Sequence, residues 1–120
     1  MELLLYNLFM DRKEYEAASA EYPPFFRRVW EECLKIPAGE TRTYAQIAAA
    51  AGSPRGARAA AMALKHNPFA PYVPCHRVIC SDGSSGGYSG TGGTEAKVKL
   101  LISEGVFFEK KGTKFFKAKI

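Results

Sequence analysis

Between Thr43 and Lys65 the chain reads TYAQIAAAAGSPRGARAAAMALK, two alanine-rich runs separated by Gly52, Ser53 and Pro54. Alanine is the strongest helix former, and neither run can continue through a glycine followed by a proline, so this stretch restricts the fold more than any other. Thr43 can cap a helix that runs to Ala51, and Gly52 can end it. Ser53 and Pro54 have the cap and first-position chemistry for a second helix, from Pro54 to about Lys65. Two short helices joined by a glycine turn predict a helix-turn-helix. The small side chains would let the second helix approach a nucleic-acid groove, with Arg55, Arg58 and Lys65 to contact it. A packing helix with solvated cations has the same pattern, and the pattern alone leaves both readings open.

Charge bears on the same choice. Residues 41–81 hold Arg42, Arg55, Arg58, Lys65 and Arg77 and no Asp or Glu, in a chain of net charge +5. A one-signed stretch attracts polyanions, although a solvated basic face reads the same way. The 120 residues suffice for one domain with a core, and 47% hydrophobic residues is a globular proportion. The opening MELLLYNLFM is too short to span a bilayer and carries an acid where a signal peptide carries cations. The expectation is an intracellular protein with no membrane association. Residues 1–22 read as a short extension of unassigned role and 23–120 as the domain. Cys33, Cys75 and Cys80 form no C-x-x-C pair and the histidines are His66 and His76, so neither a metal site nor a disulfide scaffold is expected.

Apolar residues at Phe25, Phe26, Val29, Trp30, Cys33 and Leu34 predict a helix that starts after Pro23-Pro24 and stops before Pro37. Residues 94–104, TEAKVKLLISE, predict another, capped by Thr94, ended by Gly105, with Ala96, Leu100 and Leu101 on one face. Two apolar runs around Lys110-Lys111-Gly112-Thr113 predict a terminal hairpin whose lysines protect a strand edge.

The chemistry concentrates in YVPCHRVIC, residues 72–80, followed by a glycine-rich run from Ser81 to Gly93. A buried, irregular turn is the expected form. A thiol is nucleophilic only as thiolate, and an imidazole or a cation nearby favours that form. Cys75 has His76 and Arg77 beside it, and Glu104 is a candidate to stand behind the histidine. A lone Cys-His pair is, by itself, more often structural.

The hexapeptide PCHRVI, residues 74–79, resembles the active-site signature of the O6-alkylguanine-DNA alkyltransferases, direct-reversal DNA repair proteins. The segments FFRRVWEECLKIPAGETRTYAQIA, GSPRGARAAAMALKHNP, GGYSG and LLISEGV flank it in the order found in that family, from about Pro24 to Val106. The resemblance implies that Cys75 takes the alkyl group irreversibly, that His76 deprotonates it through a water, and that Glu104 orients His76. It implies that Asn67 ties the recognition helix to the active-site turn. Tyr44 would help rotate the nucleotide out and Arg58 would fill the gap, with Ala57, Ala60 and Ala61 allowing a minor-groove approach. Val78 would read the guanine edge through its carbonyl, and Tyr88 and Ser89 would form the pocket wall and the donor to the alkylated oxygen. Lys65 and Arg55 suit phosphate contact or solvent equally.

The fold expected is α+β and mostly helical: a helix-turn-helix, winged-helix-like domain with a buried active-site turn and a short C-terminal hairpin. The partner expected is double-stranded DNA containing O6-alkylguanine, bound by a monomer without a cofactor. The rivals are a lesion-recognition protein without transfer, which typically lacks the cysteine, a plain helix-turn-helix regulator, and a thiol hydrolase.

Overall fold

The computed structural model describes residues 7–88 and 92–118. Helix α1 (Arg12–Ser19) is capped by Asp11, whose carboxylate accepts the Glu14 amide. Pro24 has no N–H to leave unpaired and a φ suited to a first turn, so α2 (Pro24–Leu34) begins on it. The helical repeat of α2 turns Val29, Trp30 and Cys33 fully inward. The Trp30 indole donates to the Ala63 carbonyl at 2.9 Å. Phe69 and Tyr22 meet its ring edge-on at 5.4 and 5.0 Å.

The two alanine-rich runs form the expected pair. Strand β1 (Arg42–Thr43) leads into α3 (Tyr44–Ala50), where the Thr43 hydroxyl accepts the Gln46 amide and the Gln46 side chain accepts the Thr43 amide. At its far end Gly52 takes φ +93°. The Ser53 amide then reaches back to the Ala48 carbonyl at 2.9 Å and the Gly52 amide to Ala49 at 3.0 Å. The second helix does not start at Pro54. Ser53 donates its N–H to Ala48 and accepts the Gly56 N–H at 2.8 Å, so it sits in a tight turn instead of capping a helix. Helix α4 therefore runs Ala57–Lys65, and Arg55 belongs to the turn.

A loop over 67–74 enters a single 3₁₀ turn, Cys75–Arg77, and then β2 (Val78–Ile79), which pairs in parallel with β1, Arg42 opposite Val78. Helix α5 (Gly93–Ser103) starts from a left-handed Gly92 with no side-chain cap, which leaves Thr94 inside the first turn and not at the cap. Its buried residues are Lys97, Val98 and Leu101, a face rotated from the one expected, with Ala96 and Leu100 only partly covered. The helix ends as α3 does: Gly105 takes φ +93°, the Val106 amide reaches Leu101 at 2.9 Å, and Glu104 is left as the cap residue. Strands β3 (Phe108–Lys111) and β4 (Lys114–Lys117) form the expected hairpin, joined to the loop after β2 by a bridge between Ser84 and Phe116.

The main core gathers Tyr15, Val29, Trp30, Cys33, Ile47, Ala60, Ala63, Phe69 and Val73, and a smaller cluster joins Ile79, Leu101 and Val106. Residues 7–22 contribute Met10 and Tyr15 to the main core, while Leu8 and Phe9 face solvent. The domain is mostly helical α+β, as the sequence predicts. No described helix is long and apolar enough to cross a membrane.

Candidate active site

The 3₁₀ turn places Cys75 and His76 inside the molecule, 4% and 3% exposed. Glu104, held at the end of α5, meets the His76 Nε2 with both carboxylate oxygens at 3.1 Å. A carboxylate only accepts, so His76 donates from Nε2 and its Nδ1 carries the lone pair. That Nδ1 is buried and has no hydrogen-bond partner among the described residues. Arg77 holds Glu104 from the other side, Nε to Oε1 at 3.0 Å and Nη2 to Oε2 at 2.6 Å, and ties the pair to the residues following α2 through the Ile36 carbonyl at 2.8 Å.

Burial lowers the pKa of His76 below 6.5, and the Glu104 hydrogen bond and charge only partly oppose it. For Glu104, burial pushes the pKa up, but hydrogen bonds from Arg77 and His76 outweigh it and hold the carboxyl below its usual range. The pair is thus a neutral imidazole fixed in one tautomer by a charged carboxylate.

Asn67, just beyond α4, donates to the Val73 carbonyl at 3.1 Å and accepts the Phe69 amide at 2.8 Å. It ties the end of the helix-turn-helix to the loop that becomes the Cys75 turn. A pocket of about 300 Å³ lies beside it, lined by Tyr44, Ala61, Leu64, Lys65, Cys75, Gly87 and Tyr88. The structure thus brings Tyr44, Ala61, Lys65, Cys75 and Tyr88 together. Burial raises the hydroxyl pKa of Tyr44 above the ordinary value and that of Tyr88 to about 12, so both remain proton donors. Arg58 is exposed on the α4 stripe that carries Ala61 and Lys65, at the i, i+3, i+7 spacing of one face. Ala57 is half-buried at the start of α4, while Arg55 is exposed in the preceding turn; neither lines the pocket. Ser89 lies outside the described residues.

The sequence reading sets Arg77 beside Cys75 but not as the clamp on Glu104, and it does not place Lys97 here; both belong to the site. Lys97 is 0% exposed, and its ammonium donates to the Val78 carbonyl at 2.6 Å, the Gly87 carbonyl at 3.0 Å and the Tyr44 hydroxyl at 3.4 Å. It links α3, β2 and the glycine loop behind the pocket, and the Val78 carbonyl keeps its second lone pair. Gly86 belongs to the same junction: its φ is +71°, and a Cβ there would stand 2.9 Å from the Tyr44 hydroxyl. The available signal for Lys97 is its i, i+4 spacing from Leu101, which puts it on the buried face.

Burial lowers the pKa of Lys97 to about 8. Between pH 8 and the ordinary 10.5 the unfolded chain holds the extra proton, so this group makes the fold more stable as pH rises through that window. Lys97→Met is expected to lose that rise. The melting temperature of the unsubstituted chain, relative to the variant, should increase from about pH 7 to about pH 10, and equal shifts in both would refute the assignment.

A helix-turn-helix beside a buried thiol and a carboxylate-held imidazole defines a class: helix-turn-helix domains that set a buried Cys-His pair against the second helix. The family model described as 6-O-methylguanine DNA methyltransferase, DNA binding domain, matches residues 24–106. The chain belongs to that family. It is 50% identical over 90 residues to a probable methylated-DNA–protein-cysteine methyltransferase of Acanthamoeba polyphaga mimivirus, covering 75% of this chain and 55% of that protein. It is 46% identical over 88 residues to the constitutive enzyme of that name from Bacillus subtilis, covering 73% and 53%. The chain therefore spans about half the length of these relatives. Among solved structures, S. pombe Atl1 bound to damaged DNA containing O6-carboxymethylguanine superposes with a TM-score of 0.70 at 32% identity, over 79% of this chain and 88% of that one. Mycobacterium tuberculosis OGT in complex with DNA gives 0.64 at 49% identity, over 68% and 48%.

Proposed function

We propose that this chain repairs O6-alkylguanine in double-stranded DNA by moving the alkyl group onto Cys75 in a single, irreversible turnover. The observation that carries this is the opening of Cys75, backed by the His76–Glu104–Arg77 arrangement, onto a pocket walled by Tyr44 and Tyr88 beside α4. A guanine inside a stacked duplex is out of reach of a buried thiol, so the nucleotide must rotate out to enter the pocket. Tyr44 would guide that rotation and Arg58, exposed on α4, would occupy the space left in the duplex. Val78 through its carbonyl, Tyr88 and Ser89 would recognise the base, with Ala57 and Ala61 allowing close approach and Lys65 and Arg55 available for phosphates. Asn67 would keep the Cys75 turn in register with α4.

In the reaction, Nδ1 of His76 takes the Cys75 proton through a water, and the sulfur attacks the alkyl carbon. The S–C bond forms as the C–O6 bond breaks. The electron pair passes to the purine, which takes up one proton, balancing the one that His76 accepted from Cys75, and remains in its strand as guanine. The product is a thioether, and nothing in the chemistry returns the thiol, so each chain acts once. All the groups in this scheme come from one chain, consistent with a monomer.

The base must be neutral imidazole. Because burial puts the pKa of His76 below 6.5, transfer at saturating DNA should be level at neutral pH and fall only at pH below 6.5. Quench-flow rates across about pH 5 to 8 would test this, and an acid limb above 6.5 would exclude His76 as the base. For the function itself, the test is mass spectrometry after mixing with a duplex containing O6-methylguanine. Trypsin separates residues 66–77, with Cys75, from 78–97, with Cys80. A gain of one CH₂ on the first peptide, with guanine restored, supports transfer. Lesion-selective binding without a mass change would instead favour a recognition-only protein.

A further inference from the structure

We infer that Asn7, in the segment ahead of the family-matched residues 24–106, is a positioning residue for the Cys75 thiol; this rests on the transfer reading above. Asn7 is 2% exposed, and its side-chain amide donates to two carbonyls of the active-site loop, Pro68 at 2.8 Å and Ala70 at 2.9 Å. Further along the same segment Tyr15, 1% exposed, packs its ring edge-on against Phe69 at 5.3 Å and tilted against Tyr72 at 5.2 Å. The loop between Asn67 and Cys75 is thus held from both sides. Inside, Asn67 bonds Val73 and Phe69. Outside, the carbonyls flanking Phe69 are held by Asn7.

The connection from Asn7 to the thiol is short. The Val73 amide donates to Phe69 at 3.1 Å, and the Cys75 amide donates to Val73 at 2.8 Å. A loop has no ladder of its own to fix its carbonyls, and a buried side-chain amide with two donors supplies what a neighbouring strand otherwise would. In-line attack on an alkyl carbon tolerates little error in the sulfur position, so loosening this loop should slow transfer more than it weakens DNA binding. The residues proposed to hold DNA lie on α3, on α4 and in the turn between them, whereas the Asn7 amide bonds Pro68 and Ala70 in the loop beyond α4.

The test compares the full chain with Asn7→Leu, which keeps bulk and removes both donors, and with the milder Asn7→Ser. Three quantities are read: the transfer rate at saturating O6-methylguanine duplex, per folded chain; the dissociation constant of that duplex in a Cys75→Ala background; and amide exchange at Val73 and Cys75. The expected result is transfer about tenfold slower or more, affinity unchanged within about twofold, and faster exchange at both amides. Transfer within about twofold of the unsubstituted rate would overturn the inference, as would affinity and transfer falling together with no change in exchange. If Asn7→Leu does not fold, Asn7→Ser decides by the same criteria. If the unsubstituted chain transfers nothing, the transfer reading fails, and unchanged exchange in the variants would show separately that Asn7 does not hold the loop.

Discussion

Cys75→Ala is expected to bind a duplex containing O6-methylguanine within about twofold of the unsubstituted chain and to transfer no methyl group. Cys75 is 4% exposed at the edge of the pocket, whose other walls include Tyr44, Ala61 and Tyr88. Removing one sulfur from a buried turn should cost only about 1 kcal/mol of stability. Binding and chemistry are therefore separable in this variant, and the substituted protein should persist on the lesion where the active one leaves restored DNA. The alternative acceptor is Cys80, half-buried beside Gly86. A methyl on residues 78–97 in Cys75→Ala would move the nucleophile to that residue.

Glu104→Gln should lower the transfer rate by about a hundredfold, the lower range for loss of a positioned general base. Glu104 accepts from His76 at 3.1 Å and from Arg77 at 2.6 Å. An amide can donate as well as accept, so the substituted side chain can favour the His76 tautomer with the proton on Nδ1, which is no longer a base toward the thiol. The change also leaves the Arg77 guanidinium without its charged partner, at a cost of about 2–3 kcal/mol. The carboxylate is one of the influences that raise the pKa of His76 against burial, so its loss should also move the acid limb of the rate profile to lower pH. A rate loss with an unmoved limb would mean that Glu104 acts only as a structural tie. In the unsubstituted chain both folded-state pKa values lie below their ordinary values. The carboxylate of Glu104 therefore contributes stability above its ordinary pKa that is lost as pH falls through the lowered one, and the buried neutral His76 opposes acidification in the same direction.

Much of the site is legible locally. Thr43 announces the start of α3, Pro24 the start of α2, and Gly52 and Gly105 the ends of α3 and α5, because caps and terminators act within a few residues. Gly105 also places Glu104 at a helix end, where its side chain is free to turn toward His76. The start of α4 is not legible in this way, because Ser53 and Pro54 suit either a cap or a turn, and the closing bond from Ser53 back to Ala48 decides between them. The face of α5 is missed for a different reason: a lysine is expected to seek water. Buried among three oxygens, Lys97 finds enough acceptors to remain inside.

Segmentation into short helices, the basic helix-turn-helix and the thiol-imidazole pair all follow from neighbouring residues, since propensity, capping and residue chemistry act along the chain. How that pair is supported follows from packing alone: Arg77 closing on Glu104, Lys97 joining Tyr44 to Val78 and Gly87, and Asn7 reaching the loop ahead of Cys75. Those partners are separated by between 10 and 63 positions in the chain. No periodicity links them, because the contact depends on where packing around Trp30 and Phe69 brings separate backbones together, and a single polar side chain then bonds whatever carbonyl or carboxylate is left facing it.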